Sequence, residues 1–364
     1  MLIQNLSWWP FRLPFAGAFG TARSSLNQRE GWIIQIQTDT GLTGLGEASP
    51  LPEFGGGTPA DVLRLLEKWH PLLIGQPIDC GRRLRPLMWE ADQSADAPGL
   101  AAFLCGLDIA LTDVLSQTEG KSLAEWLAGR PVAESVLVNA TIGTPDNSKA
   151  AILAQKAVAD GFECVKLKVG MAAGVSGELE RVQAVRAAIG KTTRLRLDAN
   201  GAWKPEEAIT ILRELEPLGI ELVEQPVAAH DLAGMAQVRR RLKHIPIAAD
   251  EAVTNVASAQ AVIAAGAADI LVIKPMMVGG LRAGLELIKI AQRAGLGAFV
   301  TTTIDSGIGI AAALHLAATL PEPLLACGLA TASLLQDTLV QELPIIKNGR
   351  MFLPDSAGLG MVLK

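Results

Sequence analysis

The 364 residues hold only four cysteines, Cys80, Cys105, Cys164 and Cys327, at wide and irregular spacings. With no Cys-x-x-Cys pair and no dense framework, a disulfide scaffold is not expected, and a reducing cytoplasm fits. Histidine is as sparse: His70, His230, His244 and His315 share no paired spacing, so surface or packing roles are expected of them. Lysine and arginine are spread along the chain and the formal net charge is −5. That pattern leaves no footprint for nucleic acid or an anionic membrane, and the expected partner is a small molecule. No basic leader followed by an apolar stretch and a cleavage site is seen after Met1, so export is not expected. The most apolar tract, 307–335, is broken by His315, Pro321, Glu322 and Pro323 and reads as buried helix plus buried strand, not a membrane span.

What is present is material for a large core: 49% of residues are hydrophobic and 19% charged. The length suits a barrel of roughly 250 residues with a smaller companion domain. In the first third, Trp32-Ile33-Ile34-Gln35-Ile36-Gln37 partly alternates and leads into Asp39-Thr40-Gly41, which predicts an antiparallel hairpin. Thr58-Pro59 opens a helix with Leu63, Leu65, Leu66 and Trp69 on helical spacing, and 99–115 forms a second, strongly apolar helix. This is an α+β unit.

From about residue 135 short apolar strands alternate with helical stretches. The strands are expected at 136–141, 163–169, 194–198, 220–224, 245–249, 269–274, 298–302 and 324–328, with helices such as 150–159, 205–215, 257–265 and 281–294 between them. Such alternation requires parallel pairing and makes the chain α/β. A TIM-type (β/α) barrel and an open doubly wound sheet both use it. No Gly-x-Gly-x-x-Gly follows the first strand of the region, which weakens a dinucleotide-binding sheet and favours the barrel.

Barrel enzymes place chemistry at the carboxyl ends of the strands. Here these ends read Lys166-Leu167-Lys168, Arg196-Leu197-Asp198-Ala199-Asn200, Glu224-Gln225-Pro226, Asp250-Glu251 and Lys274-Pro275. Asp198, Glu224 and Asp250 follow one another at intervals of 26 residues, one strand–helix–strand unit each, so adjacent strands present them together. Three converging carboxylates call for a hard divalent cation, Mg²⁺ in first place with Mn²⁺ as a substitute. Lys168 one unit earlier and Lys274 one unit later would flank that cation from opposite sides. Lys166 shares the inward face with Lys168. It is expected to lower the pKa of Lys168, making a base for a proton next to a carboxylate. Arg196 faces inward too and is expected to support Lys168 or the ligands.

Each charge alone has a plainer reading. The lysines fit a solvated strand end, Asp198 and Asp250 fit helix caps, Glu224 fits a loop charge and Arg196 a structural ion pair. Gly279-Gly280 reads as a turn whose amides could meet an anion at the next helix start. Five successive strands ending this way for unrelated reasons is much harder to accept.

In this order and spacing the motifs resemble the muconate-lactonizing-enzyme subgroup of the enolase superfamily. The likeness extends to Gly44-Leu45-Gly46-Glu47-Ala48-Ser49-Pro50-Leu51-Pro52, similar to that superfamily's capping-domain loop, and to the tail Gly358-Leu359-Gly360. The resemblance implies a capping domain at 1–125, completed by the C-terminal segment 340–364, over a barrel at 126–339. It implies loops near 15–30 and 50–57 closing over the substrate. It also implies Asp198, Glu224 and Asp250 as metal ligands, Lys168 and Lys274 as the acid/base pair with Lys166 beside them, and Asn200, Glu251 and Arg196 in support.

The subgroup's members share proton removal to an enediolate and differ in its fate. Dipeptide epimerases carry an acidic pair at the eighth strand to hold the substrate ammonium, whereas this chain reads Cys327-Gly328-Leu329-Ala330-Thr331-Ala332-Ser333. The run Gly328-Leu329-Ala330-Thr331, with Ser333 and Leu334, is similar to the corresponding segment of o-succinylbenzoate synthases. That resemblance implies a Mg²⁺-dependent lyase dehydrating a cyclohexadiene carboxylate for menaquinone or phylloquinone synthesis. N-succinylamino acid racemase or dipeptide epimerase is the alternative, then muconate cycloisomerase; a metal-free Schiff-base aldolase using Lys168 or Lys274 is the alternative of another class. At the seventh strand this chain has Asp305 where the family often has glutamate, and no histidine as in mandelate racemases. The oligomeric state stays open, a homo-oligomer included.

Overall fold

The computed structural model describes residues 1–20, 25–78, 97–171 and 174–364. Cys80 and the middle of the first expected closing loop, 21–24, lie outside the described residues.

The chain begins with an antiparallel sheet in the order β1 (Ile3–Gly20), β2 (Ser25–Thr38), β3 (Thr43–Ala48). The predicted hairpin joins β2 to β3, with Gly41 at φ 85° in the turn. Helix α1 (Pro59–Leu73) starts at Thr58, whose side chain accepts from the Asp61 amide while Asp61 accepts from the Thr58 amide. Its buried face is Val62, Leu65, Leu66, Trp69 and Leu73, so Val62 takes the core position expected of Leu63. Helix α2 (Leu100–Thr118) packs across β3. The contact explains Gly44-Leu45-Gly46: a Cβ at Gly46 would lie 1.9 Å from the Gly106 carbonyl oxygen, so the strand reaches the helix backbone only without side chains. By length and composition α2 could cross a membrane; here most of it is buried in the core. A short helix, α3 (Leu123–Ala128), completes this part.

Next come β4 (Ser135–Leu137), β5 (Ala140–Ile142), α4 (Asn147–Ala159), β6 (Cys164–Lys168), α5 (Gly174–Ile189), β7 (Arg194–Asp198), α6 (Pro205–Leu215), β8 (Ile220–Glu224) and α7 (Leu232–Arg241). They are followed by β9 (Ile247–Ala249), α8 (Val256–Ala264), β10 (Ile270–Ile273), α9 (Pro275–Val278), α10 (Leu281–Arg293), β11 (Gly297–Val300) and α11 (Gly307–Ala317). Strands β5 to β11 pair in sequence order in one parallel sheet. Both faces of this sheet are covered, which is why its strands read as near-continuous apolar runs.

Two expectations are corrected. The stretch expected as one strand at 136–141 is split, because 135–137 pairs antiparallel with β13 (Arg350–Phe352) while 140–142 pairs with β6. The eighth strand expected at 324–328 is reduced to an extended segment around Cys327 and Gly328. It still closes the sheet into a barrel: Cys327 donates to Leu137 O, Asn139 donates to Cys327 O, and Gly328 and Thr302 exchange bonds with 300 and 328. Gly328 lies against the Thr301 side chain, where a Cβ would meet Oγ1 at 2.3 Å. The last residues run back to the start of the chain, with Leu123 donating to Gly358 O and Leu359 to Asp113 on α2.

Candidate active site

Apart from Arg196 and Asp305, the charged side chains singled out at the strand ends meet at the carboxyl-terminal mouth of the barrel. Strand register does this: Lys168 pairs with Asp198 and Asp198 with Glu224, so three neighbouring strands present three charges at one level. Asp250 follows two residues after Ala248, the partner of Glu224, and Lys274 follows β10. Lys168 and Lys274 therefore stand on opposite flanks, with β7, β8 and β9 between their strands.

Lys168 Nζ donates to Asp198 Oδ2 at 2.6 Å and to Asn200 Oδ1 at 2.8 Å. Lys274 Nζ reaches Asp250 Oδ2 at 2.7 Å. Lys166 Nζ bridges Glu224 Oε2 at 2.5 Å and Asp198 Oδ2 at 2.8 Å. One oxygen from each of Asp198, Glu224 and Asp250 lies within 4.8 Å of the others, and all three residues are buried. Glu224 Oε1 is buried without a hydrogen-bond partner. An all-oxygen set with a buried acceptor to spare fits a hard divalent cation.

The electrostatics agree. Burial, with Asp198 and Asp250 nearby, pushes the Glu224 carboxyl up to about 7 although the Lys166 ammonium touches it. Burial would raise Asp198 as well, but Lys166 and Lys168 outweigh it and hold that carboxyl below the ordinary range. The same carboxylates act on the ammonium groups of Lys166 and Lys274. Burial lowers both, yet Asp198, Glu224 and Asp250 around Lys166, and Asp250 and Glu251 around Lys274, leave them raised.

Asn200 joins Lys168 to Glu251: its Oδ1 accepts from the lysine and its Nδ2 donates to Glu251 Oε1 at 2.9 Å. Asn200 and Gln225 sit at φ 45° and 37°, two residues and one residue past the ends of β7 and β8. Gln225, to which sequence reasoning gave no role, accepts the amides of Asp250 and Ala252 on Oε1 and donates to Val227 O. It holds the Asp250 backbone against β8, and the signal was a polar side chain directly after a strand-end carboxylate. Arg196 is elsewhere. Its guanidinium donates to Glu221 Oε2 and Ala326 O at 2.5 Å each and lies 4.9 Å from the Phe299 ring centroid. Inward-facing residues two apart occupy successive layers of a barrel, so Arg196 packs below the mouth and makes no hydrogen bond to Lys168 or the carboxylates.

Phe54 and Leu51 lean over the mouth from the N-terminal unit, with Lys274 Nζ 5.2 Å from the Phe54 ring centroid. Thr141, Thr301, Thr302, Thr303, Ile304, Gly328, Thr331 and Leu334 line the remaining wall. Two acids fasten this cover. Glu47 on β3 accepts from Ser306 N, Ser306 Oγ and Gly309 N at the start of α11. Asp108 on α2 accepts from Arg282 N and its guanidinium at the start of α10. The anion expected near Gly279-Gly280 is thus the protein's own Asp108. Asp305 is buried beside Thr303 and Arg29 and does not line the pocket. Burial and then Glu47 push it up to about 6.

Comparison with known proteins agrees with this architecture. The "Mandelate racemase / muconate lactonizing enzyme, N-terminal domain" family matches residues 7–128 and the "Enolase C-terminal domain-like" family residues 149–364. A hydrophobic dipeptide epimerase of Enterococcus faecalis is 32% identical over 99% of both chains. An o-succinylbenzoate synthase of Thermobifida fusca is 40% identical, over 56% of this chain and 62% of that one. The structure of the substrate-liganded L-Ala-D/L-Glu epimerase from Bacillus subtilis superposes with a TM-score of 0.91 at 28% identity, covering 100% of this chain and 99% of that one. Members of this superfamily are enzymes that bind Mg²⁺. The chain belongs to the enolase superfamily, in its muconate-lactonizing-enzyme subgroup.

Proposed function

We propose that this chain is a Mg²⁺-dependent lyase of the o-succinylbenzoate synthase type, removing the proton next to a carboxylate and expelling hydroxide from the neighbouring carbon. Asp198, Glu224 and Asp250 would hold the cation. Mg²⁺ bound there supplies positive charge to the substrate carboxylate as the adjacent carbon loses its proton. Lys168 takes that proton at Nζ, steadied by the Asn200 amide, and the proton accounts for the water formed with the leaving hydroxide. Lys274 faces the opposite side and balances developing negative charge as an ammonium. Lys166 neutralises Glu224 and Asp198 from below. The same reading divides the chain into a cap, 1–125 with 340–364, and a barrel, 126–339.

One observation carries the choice of substrate. Beyond the lysines, the pocket wall is threonine hydroxyl and hydrocarbon; among the described residues no carboxylate lines it to receive a substrate ammonium. A dipeptide with a free amino group would be left unpaired, although epimerases match more of the chain than the Thermobifida enzyme does. An acid without an ammonium, such as the cyclohexadiene carboxylate, is accommodated. N-succinylamino acid racemization is the second reading, supported by the opposed lysines, which allow proton removal on one face and return on the other.

Purified protein with Mg²⁺ should convert the cyclohexadiene carboxylate precursor to o-succinylbenzoate, followed by ultraviolet absorbance. N-succinyl amino acids and dipeptides are tested in parallel by optical rotation and deuterium incorporation. Racemization or epimerization without dehydration overturns the first reading. Turnover surviving EDTA, with a lysine adduct trapped by borohydride, points to a Schiff-base aldolase instead.

A further inference from the structure

Arg29 on β2 is buried, 2% exposed, far from any solvent that would explain its charge. Its three donor nitrogens go to three backbone carbonyls: Nη2 to Ser49 at 2.7 Å, Nη1 to Pro50 at 3.0 Å, and Nε to Ile304 at 3.1 Å. Ser49 and Pro50 lead directly into Leu51 and Phe54, the covering wall of the pocket, and Ile304 belongs to the barrel wall. Ile304 sits at φ 64°, a conformation a β-branched residue adopts only when its surroundings impose it. Asp305 Oδ1, 4.0 Å from the guanidinium, supplies the counter-charge.

We propose that Arg29 is a positioning residue that sets the width of the substrate pocket. It ties Leu51 and Phe54 to Ile304, and so selects the part of the carboxylic acid that does not react. The inference rests on reading this pocket as the substrate site. Arg29 does not line the pocket, so it acts through the walls it holds. Only a planar guanidinium can send separate N–H groups to carbonyls on both walls; an ammonium is a single point on a flexible stem.

The test is Arg29→Lys, read two ways. In hydrogen–deuterium exchange of the protein alone, peptides covering 49–56 and 301–306 should exchange about tenfold faster, the order expected when buried carbonyls lose their donors, while β6 to β8 stay unchanged. With the cyclohexadiene carboxylate, KM should rise about tenfold with kcat within about threefold. Unchanged exchange at both walls overturns the proposal, as does a fall in kcat at constant KM. If wild-type protein turns over no cyclohexadiene carboxylate, the proposed function fails and the exchange result alone decides for or against Arg29. If Arg29→Lys does not fold, Ile304→Gly decides: it relieves the positive φ and removes the wall, so the melting temperature should hold while KM rises. An unchanged KM in that variant overturns the proposal.

Discussion

His315 should make this protein acid-sensitive in a way that one substitution removes. Its ring is fully buried on α11 and bonded on both nitrogens: Nδ1 accepts from the Ala124 amide at 3.1 Å, and Nε2 lies 3.1 Å from the Leu359 carbonyl, to which it donates. The neutral ring with hydrogen on Nε2 satisfies both, and a second proton would have to displace the Ala124 amide. Burial lowers the pKa from 6.5 to about 4, only partly offset by the Leu359 carbonyl. The unfolded chain therefore binds a proton at a pH where the folded one does not. The stability His315 contributes is complete above pH 6.5 and is lost as pH falls through 4. At 1.36 kcal/mol per pKa unit the loss is about 2 kcal/mol by pH 5 and about 3 kcal/mol in full.

Asp305 works in the opposite sense. Its pKa is raised from 3.8 to about 6, so its contribution is present below 3.8 and lost as pH rises through 6. The two contributions oppose each other, so the wild-type curve alone does not isolate His315. The informative quantity is the difference from His315→Gln, whose amide can accept from Ala124 and donate to Leu359 but does not titrate. Urea unfolding of both proteins from pH 8 to pH 5 should show the wild type losing about 2 kcal/mol relative to the variant. Parallel curves, or a folded-state histidine resonance assigned to His315 and titrating near 6.5, would refute the argument.

Lys168→Ala should lower turnover by about 10³-fold, as expected for a lost general base, while isothermal calorimetry with Mg²⁺ still detects binding; loss of the metal site instead would make Lys168 structural. Asp108→Ala removes the acceptor at the start of α10 and the partner of Arg282, and should lower unfolding stability by about 2 kcal/mol in urea titration. Burial pushes the Cys164 thiol up to about 12 and Cys327 up to about 11, so mass spectrometry after iodoacetamide at pH 8 should find both unmodified until the protein is unfolded.

The row Lys168, Asp198 and Glu224 was legible because a parallel sheet converts a constant sequence interval into spatial adjacency, and these strands are in register at those residues. Alternation says which face a strand residue takes but not the height its side chain reaches. That is why Arg196, on the correct face, was expected at the mouth and packs against Phe299 and Glu221 below it. The split of 136–141 was illegible for a different reason: what ends β4 is a pairing with β13, more than 200 residues away in the chain. Arg29, Glu47 and Asp305 drew little notice because their meaning lies across the interface, with Arg29 bonded to a carbonyl 275 residues distant and Glu47 to an amide 259 residues distant.

Those distant pairs also explain how two units behave as one site. A helix start offers unpaired N–H groups and a positive dipole end, and α10 and α11 begin within a few residues of Lys274 and of the Thr301–Thr303 wall. Asp108 and Glu47 fill those starts from the opposite unit. Each acid therefore satisfies barrel amides and at the same time fixes the cover relative to the residues it faces. A hydrophobic interface could slide by a fraction of a side chain without losing much energy. Carboxylates aimed at particular amides cannot, since a small shift leaves buried donors unpaired. Phe54 is thereby held over Lys274, and the shape of the pocket becomes a property of the interface as much as of the barrel.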